Sequence, residues 1–150
     1  MFPELISTQA FSRRVLADSL ANGSLIQVGR GHVIRPLKSA DKWQRIRYVK
    51  LGQIASHAAR CHTPPVFIGV TAALLHGLSL KSLRGDTPLH TSTRHFEKKL
   101  LPAWVDVDTS QGRPIRTKIP PTPLIFHKIS LPKDSTKFIG RRVCITDLPT

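Results

Sequence analysis

The sequence predicts an α+β fold, and three stretches support that prediction. Residues 11–35 contain a short helical pattern followed by two strand patterns around a glycine turn. Residues 42–60 place apolar side chains at intervals of three and four, which is the spacing of one helix face. From Pro88 onward, apolar and polar residues alternate in short runs separated by prolines and glycines, which is typical of strands.

The composition allows a packed core and favours a polyanionic partner. Of the 150 residues, 40% are hydrophobic, which argues against wholesale disorder. The 23 Lys and Arg residues against 9 Asp and Glu residues give a formal net charge of +14, spread along the chain. Such a charge favours binding to phosphates, and it leaves duplex DNA, RNA and an anionic membrane surface open as partners.

The cysteine content and the hydropathy of the sequence indicate the cellular compartment of the protein. Two cysteines, Cys61 and Cys144, are too few for a disulfide framework, and the N-terminus does not resemble a signal peptide. The longest apolar run, residues 66–80, is interrupted by polar residues and glycines and is shorter than the roughly twenty residues of a spanning helix. We therefore expect a soluble cytoplasmic protein with no membrane partner.

The first helix is predicted directly after Ser12, which is a good N-cap, and it ends at Asn22-Gly23. Before it, residues 1–11 have room for only about two helical turns, which Pro3 would begin. Leu16 and Leu20 form an apolar face. The residues on the other side leave an exposed face that is basic and otherwise smooth: Arg13, Arg14, Ala17 and Ala21.

A β-hairpin with an arginine at its tip is predicted next. Two strand patterns, residues 25–28 and 32–34, flank Gly29-Arg30-Gly31. A short basic helix followed by a basic hairpin is typical of a winged helix-turn-helix, in which the helix enters the major groove and the wing contacts the backbone. The alternative is a small αββ unit with solvated arginines. The predicted DNA-binding residues are Ser12, Arg13, Arg14, Ala17, Arg30, His32 and Arg35.

The sequence predicts two domains, a winged helix at 1–38 and a mixed α/β domain at 39–150, with residues 36–41 as a linker. The second domain opens on a helix over 42–60. Its apolar stripe is predicted to contain Trp43, Ile46, Val49 or Lys50, Ile54 and Ala58. Its solvent face is predicted to be basic, with Lys42, Arg45, Arg47, Lys50 and Arg60.

The rest of the second domain is predicted as a strand, a helix and then short antiparallel strands. Residues 66–68 form the strand, and the helix is capped near Thr71 and ends at Gly77. A turn at 111–113 separates two of the later strands. These later strands are predicted at 89–93, 105–108, 115–119, 124–129 and 142–146.

Three groups of residues are candidates for metal binding or catalysis, and none has a spacing that is specific for either. His57, Cys61 and His62 are too few for a structural zinc site. Asp106 and Asp108 alternate on a strand and are candidates for magnesium ligands. Ribonuclease chemistry needs a histidine acid and base, for which the candidates are His76, His90, His95 and His127. We expect no catalytic residues, no metal and no cofactor.

Three segments, in order along the chain, together resemble the AbiEi family of antitoxins and transcriptional regulators of type IV toxin–antitoxin systems. The first is Ser12-Arg13-Arg14, with Gly23 and the turn at 28–33, which is similar to the family's helix and wing. The second is the segment 71–78, TAALLHGL, and the third is 140–146, GRRVCIT.

The resemblance implies a DNA-binding winged helix that represses its own operon and a C-terminal domain that counteracts a nucleotidyltransferase-like toxin. We therefore expect a non-enzymatic, sequence-specific duplex-DNA binder that acts as a repressor or antitoxin. The alternative is an RNA-binding protein or a ribonuclease. A third possibility is a ribosome-associated or architectural protein that is basic without being specific.

Overall fold

A computed structural model describes residues 2–39, 41–77, 83–93, 97–128, 136–139 and 143–146. Within these ranges the protein is α+β, as predicted. The elements in chain order are β1 (Ile6–Ser7), α1 (Arg13–Asn22), β2 (Ile26–Gly29), β3 (His32–Ile34), α2 (Lys42–Arg60), β4 (Val66–Phe67), α3 (Gly69–Leu75), β5 (Leu89–Thr93), β6 (Glu97–Leu101), β7 (Trp104–Asp108), β8 (Ile115–Ile119), β9 (Thr122–Lys128), β10 (Thr136–Ile139) and β11 (Val143–Thr146).

The N-terminal segment forms a small sheet with one helix. Its three strands pair antiparallel in the order β1-β3-β2. Residues 2–39 contain one α-helix, α1, because the residues before it form β1 and a 3-10 turn over Thr8–Ala10. The two helical turns expected at 1–11 are therefore not formed in residues 2–11. Pro3 is buried ahead of β1.

A six-stranded mixed sheet forms the centre of the remaining chain, in the order β10-β11-β4-β5-β9-β6. The prediction of antiparallel strands is wrong for two pairs, since β11 runs parallel to β4 and β5 runs parallel to β9. The sequence reading also missed β6 and β10. Both lie at sheet edges, and β6 has three charged residues in a row, Glu97-Lys98-Lys99, which protect an edge but break the alternation that marks a strand.

Among the described strands, β7 and β8 pair only with each other, and they form a separate antiparallel ribbon. The register sorts their side chains onto two faces. Trp104 and Asp106 lie on one face and are buried, whereas Val105 and Val107 lie on the other. We refer to β7, β8 and the turn between them (residues 104–119) as the ribbon.

One hydrophobic cluster contains side chains from both sides of the predicted domain boundary. Ile34 of the first hairpin lies against α2, where a Cβ at Gly52 would be only 3.0 Å from its Cδ1. Sheet residues such as Phe67 and Leu124 belong to the same cluster. The predicted linker also contacts α2, because Ser39 Oγ donates a hydrogen bond to Gln44 Oε1 at 2.8 Å. The division at residue 38 stays a prediction, and hydrophobic packing crosses it.

Helix α2 has the predicted bounds, but part of its predicted solvent face is buried. Ile46, Ile54 and Ala58 are buried as expected. Arg45 and Lys50, expected in solvent, are 5% and 1% exposed. Each has an oxygen partner far along the chain, which offsets the cost of burying its charge.

The amine of Lys50 hydrogen-bonds α2 to the loop before β5. Its Nζ donates to the carbonyl oxygens of Gly85, at 2.9 Å, and Thr87, at 2.5 Å. Burial lowers the pKa of Lys50 to about 7, and the nearby charge of Asp86 opposes that shift. In the unfolded chain the same amine keeps its proton up to about pH 10.5.

We expect the free energy of unfolding to rise from pH 7 toward pH 10.5, by at most about 1.4 kcal/mol per pH unit, because the unfolded state binds the extra proton in this window. Below pH 7 both states are protonated and Lys50 adds no slope. Urea unfolding at a series of pH values measures the effect, and Lys50→Met should flatten the curve. An equal slope in Lys50→Met would show that other groups cause it.

Candidate nucleic-acid interface

Helix α1 lies on the surface with no fully buried residue. Arg13, Arg14 and Ala17 are exposed, as the sequence predicts. Leu16 and Leu20, expected to bury against a core, are only half-buried, and Val15 is 51% exposed. Most side chains of α1 are therefore accessible to a partner.

Both ends of α1 are fixed by local chemistry. At the start, Ser12 Oγ accepts a hydrogen bond from the backbone N–H of Val15 at 3.2 Å, which is the predicted N-cap. At the end, Gly23 has φ of 83°, and a Cβ there would overlap the side chain of Val107. Position 23 therefore needs glycine both for its left-handed backbone and for the close approach of the ribbon.

The tip of the first hairpin lies near the N-terminal end of α1. Arg30 is exposed at the tip, and the following Gly31 has φ of 80°. The carbonyl of Gly31 accepts a hydrogen bond from the N–H of Thr8 at 3.0 Å. Thr8 is five positions before Arg13, so the Cα atoms of these two residues are at most about 18 Å apart, and the tip contacts the segment that leads into α1.

The other two predicted DNA-binding residues differ in their surroundings. Arg35 is exposed just after β3. His32 is half-buried, and its Nδ1 lies 2.8 Å from Ser56 Oγ on α2. Burial, followed by the charge of Arg60, lowers the pKa of His32. His32 therefore joins the hairpin to α2, and its DNA contact stays a prediction.

The C-terminal end of α1 is held by the ribbon. Arg116 Nε on β8 donates to the carbonyl oxygen of Asn22 at 3.0 Å, across 94 residues of sequence. A helix leaves its last carbonyls without partners, and a cation there also interacts favourably with the helix dipole. Arg116 is predicted in a strand, and its contact with α1 is not predicted from the sequence. Its signal was the alternation of Arg116 and Lys118, which places two cations on one strand face.

The ribbon is tied to α2 by a buried ion pair. Arg45 donates from Nε to Asp106 Oδ1 at 2.9 Å and from Nη2 to Oδ2 at 3.2 Å, and its Nη1 reaches the carbonyl of Ser39 at 2.9 Å. The hydrogen bond to Asp106 is the main cause that raises the pKa of Arg45. Arg45 Nη2 is also 3.8 Å from Asp108 Oδ2.

These contacts argue against the magnesium candidate at Asp106 and Asp108. The carboxylate of Asp106 is buried and already paired with a guanidinium. Hydrogen bonds from the hydroxyl and the backbone N–H of Ser110 lower the pKa of Asp108. Within the described ranges, no group of three or more His, Cys, Asp or Glu residues is arranged to hold a metal ion.

Two of the four histidine candidates for ribonuclease chemistry meet on the central sheet. His90 Nδ1 on β5 lies 2.8 Å from His127 Nε2 on β9. Burial, followed by the neighbouring His127, lowers the pKa of His90. His76 is elsewhere, with Nε2 3.0 Å from the carbonyl of Thr146, and His95 lies outside the described residues.

In the zinc candidate, His57, Cys61 and His62, the structure brings the first two side chains into contact. Cys61 Sγ lies 3.5 Å from His57 Nε2, one helical turn earlier on α2. Burial is the main cause that lowers the pKa of His57 to about 4, and the ring packs edge-on against Phe67 and Phe126. No disulfide joins Cys61 and Cys144.

Comparisons of the chain with protein-family models, with curated proteins and with solved structures found no match. None of the helices in the described part of the chain has the length and apolar character needed to cross a membrane.

Proposed function

We propose that this protein binds duplex DNA with sequence preference, with α1 as the recognition helix and the β2–β3 hairpin as the wing of a winged-helix unit. The observation that carries the proposal is the exposed, basic α1 beside an exposed arginine tip. Arg13 and Arg14 lie at the N-terminal end of α1, which is the end that recognition helices direct at base edges.

The small side chains of the helix support major-groove entry. Ala17 and Ala21 are exposed on α1, so the helix has little bulk to keep it from the floor of a groove about 12 Å wide. Arg30 at the hairpin tip is placed to contact a phosphate or the minor groove beside it. One acidic side chain, Asp18, is exposed on α1, and it disfavours a phosphate at its own position.

The regulatory role proposed here is repression of the protein's own operon, in an antitoxin-type system with a nucleotidyltransferase-like toxin. This part of the proposal rests on the resemblance of three sequence segments to the AbiEi family. Duplex binding itself rests on the geometry of α1 and the hairpin together with the net charge of +14.

Selection of bound sequences from a random duplex DNA pool, beside a matched RNA pool, tests the proposal. We expect one duplex motif to be enriched over successive rounds, with weaker, unselective retention of RNA through charge alone. Enrichment of an RNA motif, or retention of both pools without any motif, would contradict it.

A second candidate function, RNA cleavage, is favoured by the contact between His90 and His127, since two imidazoles are the usual acid and base of such chemistry. Burial lowers the pKa of His90, and the contact occupies one ring nitrogen of each histidine. We therefore expect labelled RNA to stay intact during incubation with purified protein, with or without magnesium. Cleavage that His90→Ala abolishes and His62→Ala leaves unchanged would establish the second function instead.

A further inference from the structure

The two faces of the ribbon differ in charge. Asp106 points toward α2 and is neutralised by Arg45, which also approaches Asp108. Arg116 and Lys118 pair in register with Val107 and Val105, so they lie on the opposite face, toward α1. Both cations are exposed, as is Arg113 in the turn before β8. The ribbon therefore presents a cationic face on the side of α1.

A groove of about 560 Å³ is bordered by this face, the C-terminal end of α1 and the segment before α2. Most of its lining is apolar, and the apolar residues are Pro36, Leu37, Val107 and Pro114. Among the described residues that line it, the charged ones are Lys38 and Arg116, and both are cations. The bond from Arg116 to Asn22 uses one of the five N–H donors of a guanidinium.

The ribbon and the first hairpin lie at opposite ends of α1. The tip with Arg30 is tied through Gly31 to Thr8, just before the helix, whereas Arg116 is bonded to the last helical residue. A helix of ten residues is about 15 Å long, which is close to the 12 Å width of the major groove. The cations at the two ends of α1 are therefore spaced to contact the two phosphate backbones that border the major groove of DNA.

We propose that the ribbon is a second DNA-backbone clamp, in which the phosphates on one side of the DNA major groove lie along the mouth of the groove beside α1. There they contact Lys38 and Arg116, which line that groove, and Lys118, which lies on the same face of the ribbon as Arg116. This inference rests on the proposed duplex binding by α1. It adds a contact surface from the C-terminal part of the chain, beyond the winged-helix unit. Phosphate contacts of this kind contribute affinity and orientation with little sequence information.

The test compares Lys38→Gln/Lys118→Gln with the matched double variant Lys98→Gln/Lys128→Gln, whose lysines are equally exposed but lie on the central sheet. Each protein is titrated with the selected duplex and a scrambled duplex at several salt concentrations. We expect Lys38→Gln/Lys118→Gln to reduce the slope of log affinity against log salt concentration by about 1.8, since each lost phosphate contact removes about 0.9 from the slope. The ratio of specific to scrambled affinity should change little, and the control should keep the parent's slope.

Arginine substitutions separate a lost contact from a misfolded protein. Lys38→Arg/Lys118→Arg keeps both charges and should keep the salt slope of the parent. If the parent prefers its duplex and the glutamine variant has the same salt slope as the parent, the clamp is wrong and binding by α1 stands. If the parent itself has no duplex preference, the proposed function fails first, and the clamp fails with it.

Discussion

Asp106→Ala is expected to lower the free energy of unfolding by about 3–5 kcal/mol, which is the cost of leaving a buried charge without its partner. Arg45 is 5% exposed, and Asp106 accepts two of its hydrogen bonds at 2.9 and 3.2 Å. The pair joins α2 to the ribbon, and the ribbon in turn holds the C-terminal end of α1. Urea unfolding followed by circular dichroism measures the loss.

Two further variants show whether the unpaired charge is the cause. Arg45→Met/Asp106→Leu removes both charges and should recover most of the lost stability, because apolar side chains can replace a buried ion pair at little cost. Asp108→Ala should cost much less stability than Asp106→Ala, since Asp108 is 3.8 Å from the guanidinium and partly exposed. A double variant as unstable as Asp106→Ala would contradict the account.

Arg13→Ala and Arg14→Ala should reduce the preference for the selected duplex over a scrambled one by roughly 5- to 150-fold for an arginine that contacts guanine, equal to about 1–3 kcal/mol of discrimination. The exposed positions of both residues at the start of α1 place them at base edges in the proposed docking. Fluorescence anisotropy with both duplexes measures the ratio. An unchanged ratio in both variants would remove α1 from the recognition surface.

Arg30→Ala is expected to change the affinity for DNA without changing the sequence preference. The hairpin tip is expected to contact phosphate, so this variant should weaken both duplexes about equally and reduce the salt slope by about 1. Lys98→Ala, on β6, is the control and should bind like the parent. A selective loss of the preferred duplex in Arg30→Ala would mean that the tip reads bases or groove shape instead.

Local sequence signals are sufficient to predict the helix and the hairpin turn of the candidate interface. The N-cap Ser12, the stop at Gly23 and the turn at Gly31 each act within a few residues, so their effects can be read from the chain itself. The helix over 42–60 was predicted with its observed bounds because its apolar spacing and the following prolines agree. The cap of α3 was misplaced, since that helix begins at Gly69 after Ile68, with no side-chain cap.

Distant partners explain what the sequence did not predict. Arg45 and Lys50 have the spacing of a solvated helix face, and their burial depends on oxygens 61 and 35 residues away. The parallel pairs β5–β9 and β4–β11 follow from the path of the chain and leave no local pattern. Arg116 belongs to the interface only because its strand passes the end of α1.

The most direct test of the central claim is to map the backbone amide shifts of the protein by NMR as the selected duplex is added. We expect the largest changes in residues 12–22 and at the hairpin tip, residues 29–31, with a second set along the ribbon. Strand β6 should change little, although Lys98 and Lys99 make it basic. Changes concentrated on β6 or on the exposed residues of α2, with α1 unaffected, would contradict the account.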